Sequence, residues 1–245
     1  MGLIVPAVLP SSRIDLEEKL ALLLRIPSVS RVQIDVVDGR FASPASWPYS
    51  AKATKGKFSE LEVMAQNGEM LPHLERLAYE VDLMCTDAEH VAGTWLALGA
   101  ARLTFHAEST TNLGRLLASA RRRYGAGDGF TSDLVSFGVA INLASNLSLI
   151  EPYLGEVAYV QFMGIARIGR QGQPFDRRVF EKLKVFHAKY PKLMLQVDGG
   201  VSPENAHRLL SLGVSNLVVG SALLQAHDPS AVFAKFEELQ SPYGV

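Results

Sequence analysis

The sequence predicts one α/β domain, residues 1–245, folded as a (β/α)₈ TIM barrel. Three observations predict it. The chain has 245 residues, close to the length of one such barrel. Eight short apolar runs recur along it, and amphipathic stretches with helical spacing separate most of them. Alternation of that kind, with right-handed crossovers, implies a parallel sheet.

The strand-like runs are residues Ile4 to Leu9, Val32 to Val36, Tyr79 to Leu83, Arg102 to His106, Phe137 to Ile141, Val157 to Met163, Leu193 to Val197 and Asn216 to Val219. Leu16, Leu20, Leu23 and Leu24 form one helical stripe, Val179, Leu183 and Phe186 a second, and Val232, Phe233 and Phe236 a third. A closed barrel is preferred to an open doubly wound sheet because no G-x-G-x-x-G follows the first strand. The spacing is uneven at residues 39–78, where Ser43-Pro44-Ala45-Ser46-Trp47-Pro48-Tyr49 is too rich in Pro and Ser to start a helix. That connection is either a lid over the catalytic end or a surface insertion with Trp47 packed on the barrel. Tyr124 to Phe130, rich in Gly, reads as a flexible connection without chemistry.

Composition narrows the partners. Lys+Arg number 24 against 25 Asp+Glu, so no global field favours nucleic acid or an anionic membrane, and an anionic ligand must be held locally. Arg121-Arg122-Arg123 reads as a charge run at a helix end. A lone cysteine, Cys85, excludes an internal disulfide and a cysteine-based metal cluster. No segment approaches the ~20 apolar residues of a membrane span, and no charged leader precedes an apolar stretch, so a cytoplasmic protein is expected. A homo-oligomer is compatible with this composition, with no interface legible.

Two segments carry candidate chemistry: Val32-Gln33-Ile34-Asp35-Val36-Val37-Asp38-Gly39 and Gln196-Val197-Asp198-Gly199-Gly200. Each is a β-branched run ending in a carboxylate, and the strand ends of a barrel form its active-site rim. Paired acids there suggest acid/base catalysis; the alternative is two turn aspartates, since Asp-Gly is a common turn signal. Asp38 fits the turn role.

The ordered set Pro6-Ala7-Val8-Leu9, Gln33 to Gly39, Val81-Asp82-Leu83-Met84, His106-Ala107-Glu108, Met163 before a Gly/Gln-rich loop, Val197-Asp198-Gly199-Gly200 and Val219-Gly220-Ser221-Ala222 resembles the ribulose-phosphate 3-epimerases. The resemblance runs almost end to end. It implies a ribulose-phosphate-binding barrel that inverts carbon 3 of a pentulose phosphate, D-ribulose 5-phosphate to D-xylulose 5-phosphate, through an enediolate. By motif position Asp35 and Asp198 are the two proton carriers. Gln33, Asp82, Met84, His106 and Met163 would line the substrate site. Gly199, Gly200, Gly220 and Ser221 would receive the phosphate, at strand ends where barrels build such sites.

The chain departs from that family where it holds its metal. Histidines usually stand where Gln33 and Asp82 are found, and a serine that contacts substrate is replaced by Ala7. Asp35, Asp82 and Asp198 with a Gln amide make an oxygen-only set, suited to Mg²⁺ or Mn²⁺ more than to zinc or iron. With no metal, the crowded carboxylates would raise at least one pKa, and protonated acid and amide donors could stabilise the enediolate instead. The loop from Gly164 to Phe175 is one residue longer than the family's and carries Arg167 and Arg170, expected either at phosphate or in solvent. Two other functions stay open: a phosphosugar lyase or decarboxylase of the same fold, disfavoured because Val37 stands where its Asp-x-Lys pattern needs lysine, and a non-catalytic phosphosugar-binding barrel.

Overall fold

A computed structural model describes residues 3–50, 59–125 and 135–240. Eight parallel strands close in sequence order into a barrel: β1 Leu3–Val8, β2 Arg31–Val37, β3 Ala78–Met84, β4 Ala100–His106, β5 Ser136–Ile141, β6 Tyr159–Met163, β7 Met194–Asp198 and β8 Val214–Val219. Each overlaps an apolar run of the sequence, so the predicted fold class holds. The helices are α1 Arg13–Leu23, α2 Glu60–Gln66, α3 Ala88–Ala97, α4 Leu113–Ala120, α5 Arg178–Lys189, α6 Pro203–Ser211, α7 Ser221–Leu224 and α8 Pro229–Gln240. Only 3₁₀ turns, Leu147–Leu149 and Glu151–Glu156, join β5 to β6, so the alternation lapses there. No described helix is long and apolar enough to cross a membrane.

Local chemistry sets the helix starts. Ser12 caps α1 by accepting from the Asp15 backbone N–H at 3.1 Å, and α2 opens on a reciprocal capping box between Ser59 and Glu62. The helices lay their apolar stripes on the outer face of the strands. Leu16, Leu20 and Leu23 of α1, Val179, Leu183 and Phe186 of α5, and Phe233 and Phe236 of α8 are all buried there. Leu24 falls at the C-cap of α1 and is only partly covered.

Inside the barrel the pattern inverts. Gln33, Glu80, Asp82, Thr104, His106, Gln161 and Gln196 are all fully buried polar side chains. Apolar residues hold the β1/β8 side, where Val5, Ala7 and Val218 form a small cluster, and the rim, where Val37, Ala42 and Met84 form another. At the end opposite the catalytic rim, the Tyr159 ring lies across Gly138, where an added Cβ would stand 2.3 Å from it. The Tyr159 hydroxyl meets Thr104 Oγ1 at 2.7 Å, and the Arg102 guanidinium sits 3.9 Å above the ring centroid.

The Pro/Ser-rich connection after β2 is fastened to the barrel over its described first part. Ser46 Oγ donates to the Asp35 carbonyl at 3.0 Å and accepts from the Val37 N–H at 2.9 Å. Trp47 is fully buried, meets Trp95 edge-on at 5.7 Å, and donates its indole N–H to Glu60 at 2.8 Å. Of the two sequence expectations, the packed insertion describes Trp47. Residues 51–58, and residues 126–134 of the expected flexible stretch, lie outside the described residues. Trp47→Ala removes a buried ring and leaves a cavity, so unfolding in denaturant should show a loss of about 3–5 kcal/mol.

Candidate active site

Residues two apart on a strand face the same side, so one alternation carries Gln33 and Asp35 into the barrel from β2, Glu80 and Asp82 from β3, and Gln196 and Asp198 from β7. Parallel register sets Asp35 beside Asp82, and Met163 beside Asp198. Asp35, Asp82 and Asp198 converge, with one oxygen from each within 4.8 Å of the others.

Buried amides separate these charges. Gln33 Nε2 donates to Asp35 Oδ1 at 2.7 Å and to Asp198 Oδ2 at 2.8 Å. Gln161 Nε2 lies 3.1 Å from Asp82 Oδ2 and 3.4 Å from Asp198 Oδ2. His106 Nε2 lies 3.0 Å from Asp82 Oδ1, and its ring tilts against Phe41 at 5.3 Å. Burial alone would lower the His106 pKa, but the charge and hydrogen bond of Asp82, joined by the charges of Glu108 and Asp198, together leave the imidazole raised.

The acids respond to their crowding. Burial, then the Asp198 and Asp82 charges, holds Asp35 well above the usual carboxylate range, against the pull of its Gln33 hydrogen bond. Burial, then Asp82, pushes Asp198 up to about 7, again with Gln33 opposing. Asp38 goes the other way. Although burial opposes it, four hydrogen bonds, including backbone donors at Thr86, Arg40 and Phe41, hold its pKa low, which is the turn-shaping role its sequence suggests.

Asp35 and Asp198 stand in the wall of one pocket at this end of the barrel, with Met84 and Met163 beside them. Gly199, Gly200, Gly220 and Ser221 form its far side. Gln33, Asp82 and His106 are not among the residues that line it: they are fully buried, Gln33 against both wall acids and His106 against Asp82.

The glycines have a second reason to lack side chains. Gly199 and Gly200 adopt φ of 102° and 66°. An added Cβ would come within 2.8 Å of Ile165 at Gly199, 2.7 Å of the Phe175 backbone at Gly200, and 2.8 Å of Gln171 Nε2 at Gly220. The space they free is used by the loop after β6. That loop folds over the mouth: Gln171 Nε2 donates to the Ala7 carbonyl at 3.1 Å, and Arg170 Nε donates to the Ser43 carbonyl at 3.1 Å. Arg170 also lines the pocket, whereas Arg167 lines a neighbouring cleft with Phe41 and Asn142.

A sequence profile of the ribulose-phosphate 3 epimerase family matches residues 60–224. The chain belongs to that family. Among curated relatives, a ribulose-phosphate 3-epimerase of Schizosaccharomyces pombe is 22% identical over 232 residues, covering 94% of this chain and 90% of the relative. The Aquifex aeolicus enzyme of that name is 24% identical, with 98% and 97% covered. Among solved structures, 3-hexulose-6-phosphate synthase from Salmonella typhimurium superposes with TM-score 0.65 at 14% identity, covering 98% of both chains. 3-Keto-L-gulonate-6-phosphate decarboxylase from Vibrio cholerae gives 0.64 at 14%, covering 97% of this chain and 96% of the other. These superpositions concern the barrel alone.

The sequence had not singled out Gln161 or Glu80, and it gave Gln196 no role. Their signal is the two-residue alternation that leads to Met163, Asp82 and Asp198. The raised Asp198 gives a pH test. A folded state that keeps a proton up to about 7 competes with an unfolded state that releases it near 3.8, so proton release favours unfolding. Stability in chelator should therefore fall as pH rises through that window, and Asp198→Asn should flatten the slope of unfolding free energy against pH.

Proposed function

We propose that this protein, as one barrel domain, inverts carbon 3 of a ketose phosphate, converting D-ribulose 5-phosphate to D-xylulose 5-phosphate. What carries the reading is that Asp35 and Asp198, from strands β2 and β7, share one pocket wall and one amide donor, Gln33. One of them, as carboxylate, takes the C3 proton and leaves an enediolate; the other, as acid, returns a proton to the opposite face. Each turnover breaks one C3–H bond and forms another, and leaves the two carboxyls with exchanged protonation. Raised pKa values suit this, because one acid of such a set stays protonated near neutral pH. Family membership and the names of the curated relatives support the same reaction.

The substrate's phosphate is assigned to the Gly199-Gly200 and Gly220-Ser221 side of the pocket, with Arg170 above it. Met84 and Met163 supply the apolar wall beside the reacting carbon. Val37, at the position where a lyase of this fold would need lysine, is buried with Ala42 and Met84, which leaves that alternative unsupported.

The donor set fits a hard divalent cation, Mg²⁺ or Mn²⁺, held by Asp35, Asp82 and Asp198. Asp35 Oδ2 and Asp198 Oδ1 accept no side-chain hydrogen bond among the described residues, which leaves each a free oxygen. Such an ion would supply positive charge to the enediolate oxygens. Gln33 turns its nitrogen toward the acids and so offers no oxygen ligand.

Incubated with D-ribulose 5-phosphate in deuterated water, the protein should introduce deuterium at C3. Asp35→Asn and Asp198→Asn should each lose about 10²- to 10⁴-fold of the epimerisation rate. Tight sugar-phosphate binding without exchange would turn the assignment to a binding protein. Protein purified without chelator should carry Mg²⁺ or Mn²⁺, which Asp82→Asn releases; stoichiometric zinc would overturn the hard-metal assignment.

A further inference from the structure

Below the acids, fully buried Gln196 touches every amide and acid of the next layer. Its Nε2 lies 2.7 Å from Glu80 Oε1, 2.9 Å from Gln161 Oε1 and 3.3 Å from Gln33 Oε1. Its Oε1 accepts from Asn216 Nδ2 at 3.0 Å. Gln33 and Gln161 repeat one arrangement: the oxygen faces Gln196 and the nitrogen faces the carboxylates.

A carboxamide has a donor end and an acceptor end of nearly equal shape, so only its neighbours fix which way it points. Here the direction can be traced to a group with no acceptor end. Arg102 Nε donates to Glu80 Oε2 at 3.0 Å, with Arg31 at 3.9 Å from the same oxygen. Facing two arginines, Glu80 acts as acceptor, so Gln196 turns its nitrogen toward Glu80 Oε1. Its second N–H is then shared between Gln161 Oε1 at 2.9 Å and, more weakly, Gln33 Oε1 at 3.3 Å, and both residues are left with N–H₂ groups aimed at Asp35, Asp82 and Asp198. Reversing either one would set N–H₂ against N–H₂ below and a lone pair against a carboxylate above. In a buried site, such an unmade hydrogen bond is costly.

We propose that Gln196 is the positioning residue of the site: its side-chain amide imposes on Gln33 and Gln161 the orientation that presents their N–H₂ groups to the acids. The kinetic consequence rests on the epimerase reading; the orientation itself does not.

Two variants test it. Gln196→Met fills similar volume without a donor. The double variant Glu80→Gln with Gln196→Glu conserves charge and shape but reverses the polarity passed upward, since residue 196 becomes an acceptor and Gln33 and Gln161 would turn their nitrogens down to it. Both should lower kcat for C3 epimerisation roughly 10- to 100-fold while KM stays within about threefold. Leu209→Ala, a buried core change on α6 away from the site, should lower thermal stability and leave kcat within about twofold.

A second readout needs no turnover. With ¹⁵N-glutamine labelling, the side-chain N–H₂ resonances of Gln33 and Gln161, assigned by Gln33→Met and Gln161→Met, should be protected from solvent exchange in the wild-type protein and shifted in the double variant. Wild-type kcat in the double variant, or unshifted resonances, overturns the proposal. If Gln196→Met fails to fold, the double variant decides alone. If the wild-type protein places no deuterium at C3, the epimerase reading falls and the resonances still judge the role of Gln196.

Discussion

Three carboxylates buried at one end of a barrel repel one another, and the interior of this protein is organised around that repulsion. Asp35, Asp82 and Asp198 come close because strand register and alternation put them there. An apolar interior of Val, Ile and Leu would have left each charge uncompensated, at a penalty of several kcal/mol per ion even after relaxation. Gln33, Gln161 and His106 meet the acids directly, and Gln196, backed by Glu80 and Arg102, meets the two amides from below. The stability that a barrel ordinarily draws from its inner layers is here drawn from its outer shell, where the helix stripes cover the strands.

The same crowding connects structure to reaction. A lone surface aspartate is ionised at neutral pH and can serve only as base. Burial and like charge hold both Asp35 and Asp198 above the ordinary carboxylate range, the condition under which two chemically equal side chains could take different roles in the proposed reaction. A divalent cation or a hydrogen-bonded proton would relieve the same repulsion, so the proposed proton transfer does not depend on the two histidines that the family resemblance leads one to expect.

The fold was legible because all eight strands are apolar enough on their outer faces to stand out as runs, and the acids stood out because they end such runs. Glu80, Gln161 and Gln196 were harder to read for a physical reason. A polar residue alternating with apolar ones is the pattern of a strand with one wet face, and sequence alone does not say that this face is the barrel interior. The β5 to β6 connection carried no helical stripe in the sequence, and two 3₁₀ turns close the barrel there instead of a helix. Contacts such as Gln33 to Asp198 join residues 165 positions apart, and no local spacing encodes them.

The closed floor has a consequence for isotopes. Tyr159 resting on Gly138, tied to Thr104 and covered by Arg102, obstructs the barrel axis below the polar layer. Solvent then meets the acids through the mouth, across which Gln171 and Arg170 tie the loop after β6. Under the proposed epimerisation, a hydron taken from substrate would be kept from the bulk for as long as that loop stays tied, and label retention during turnover would serve as a clock for loop opening.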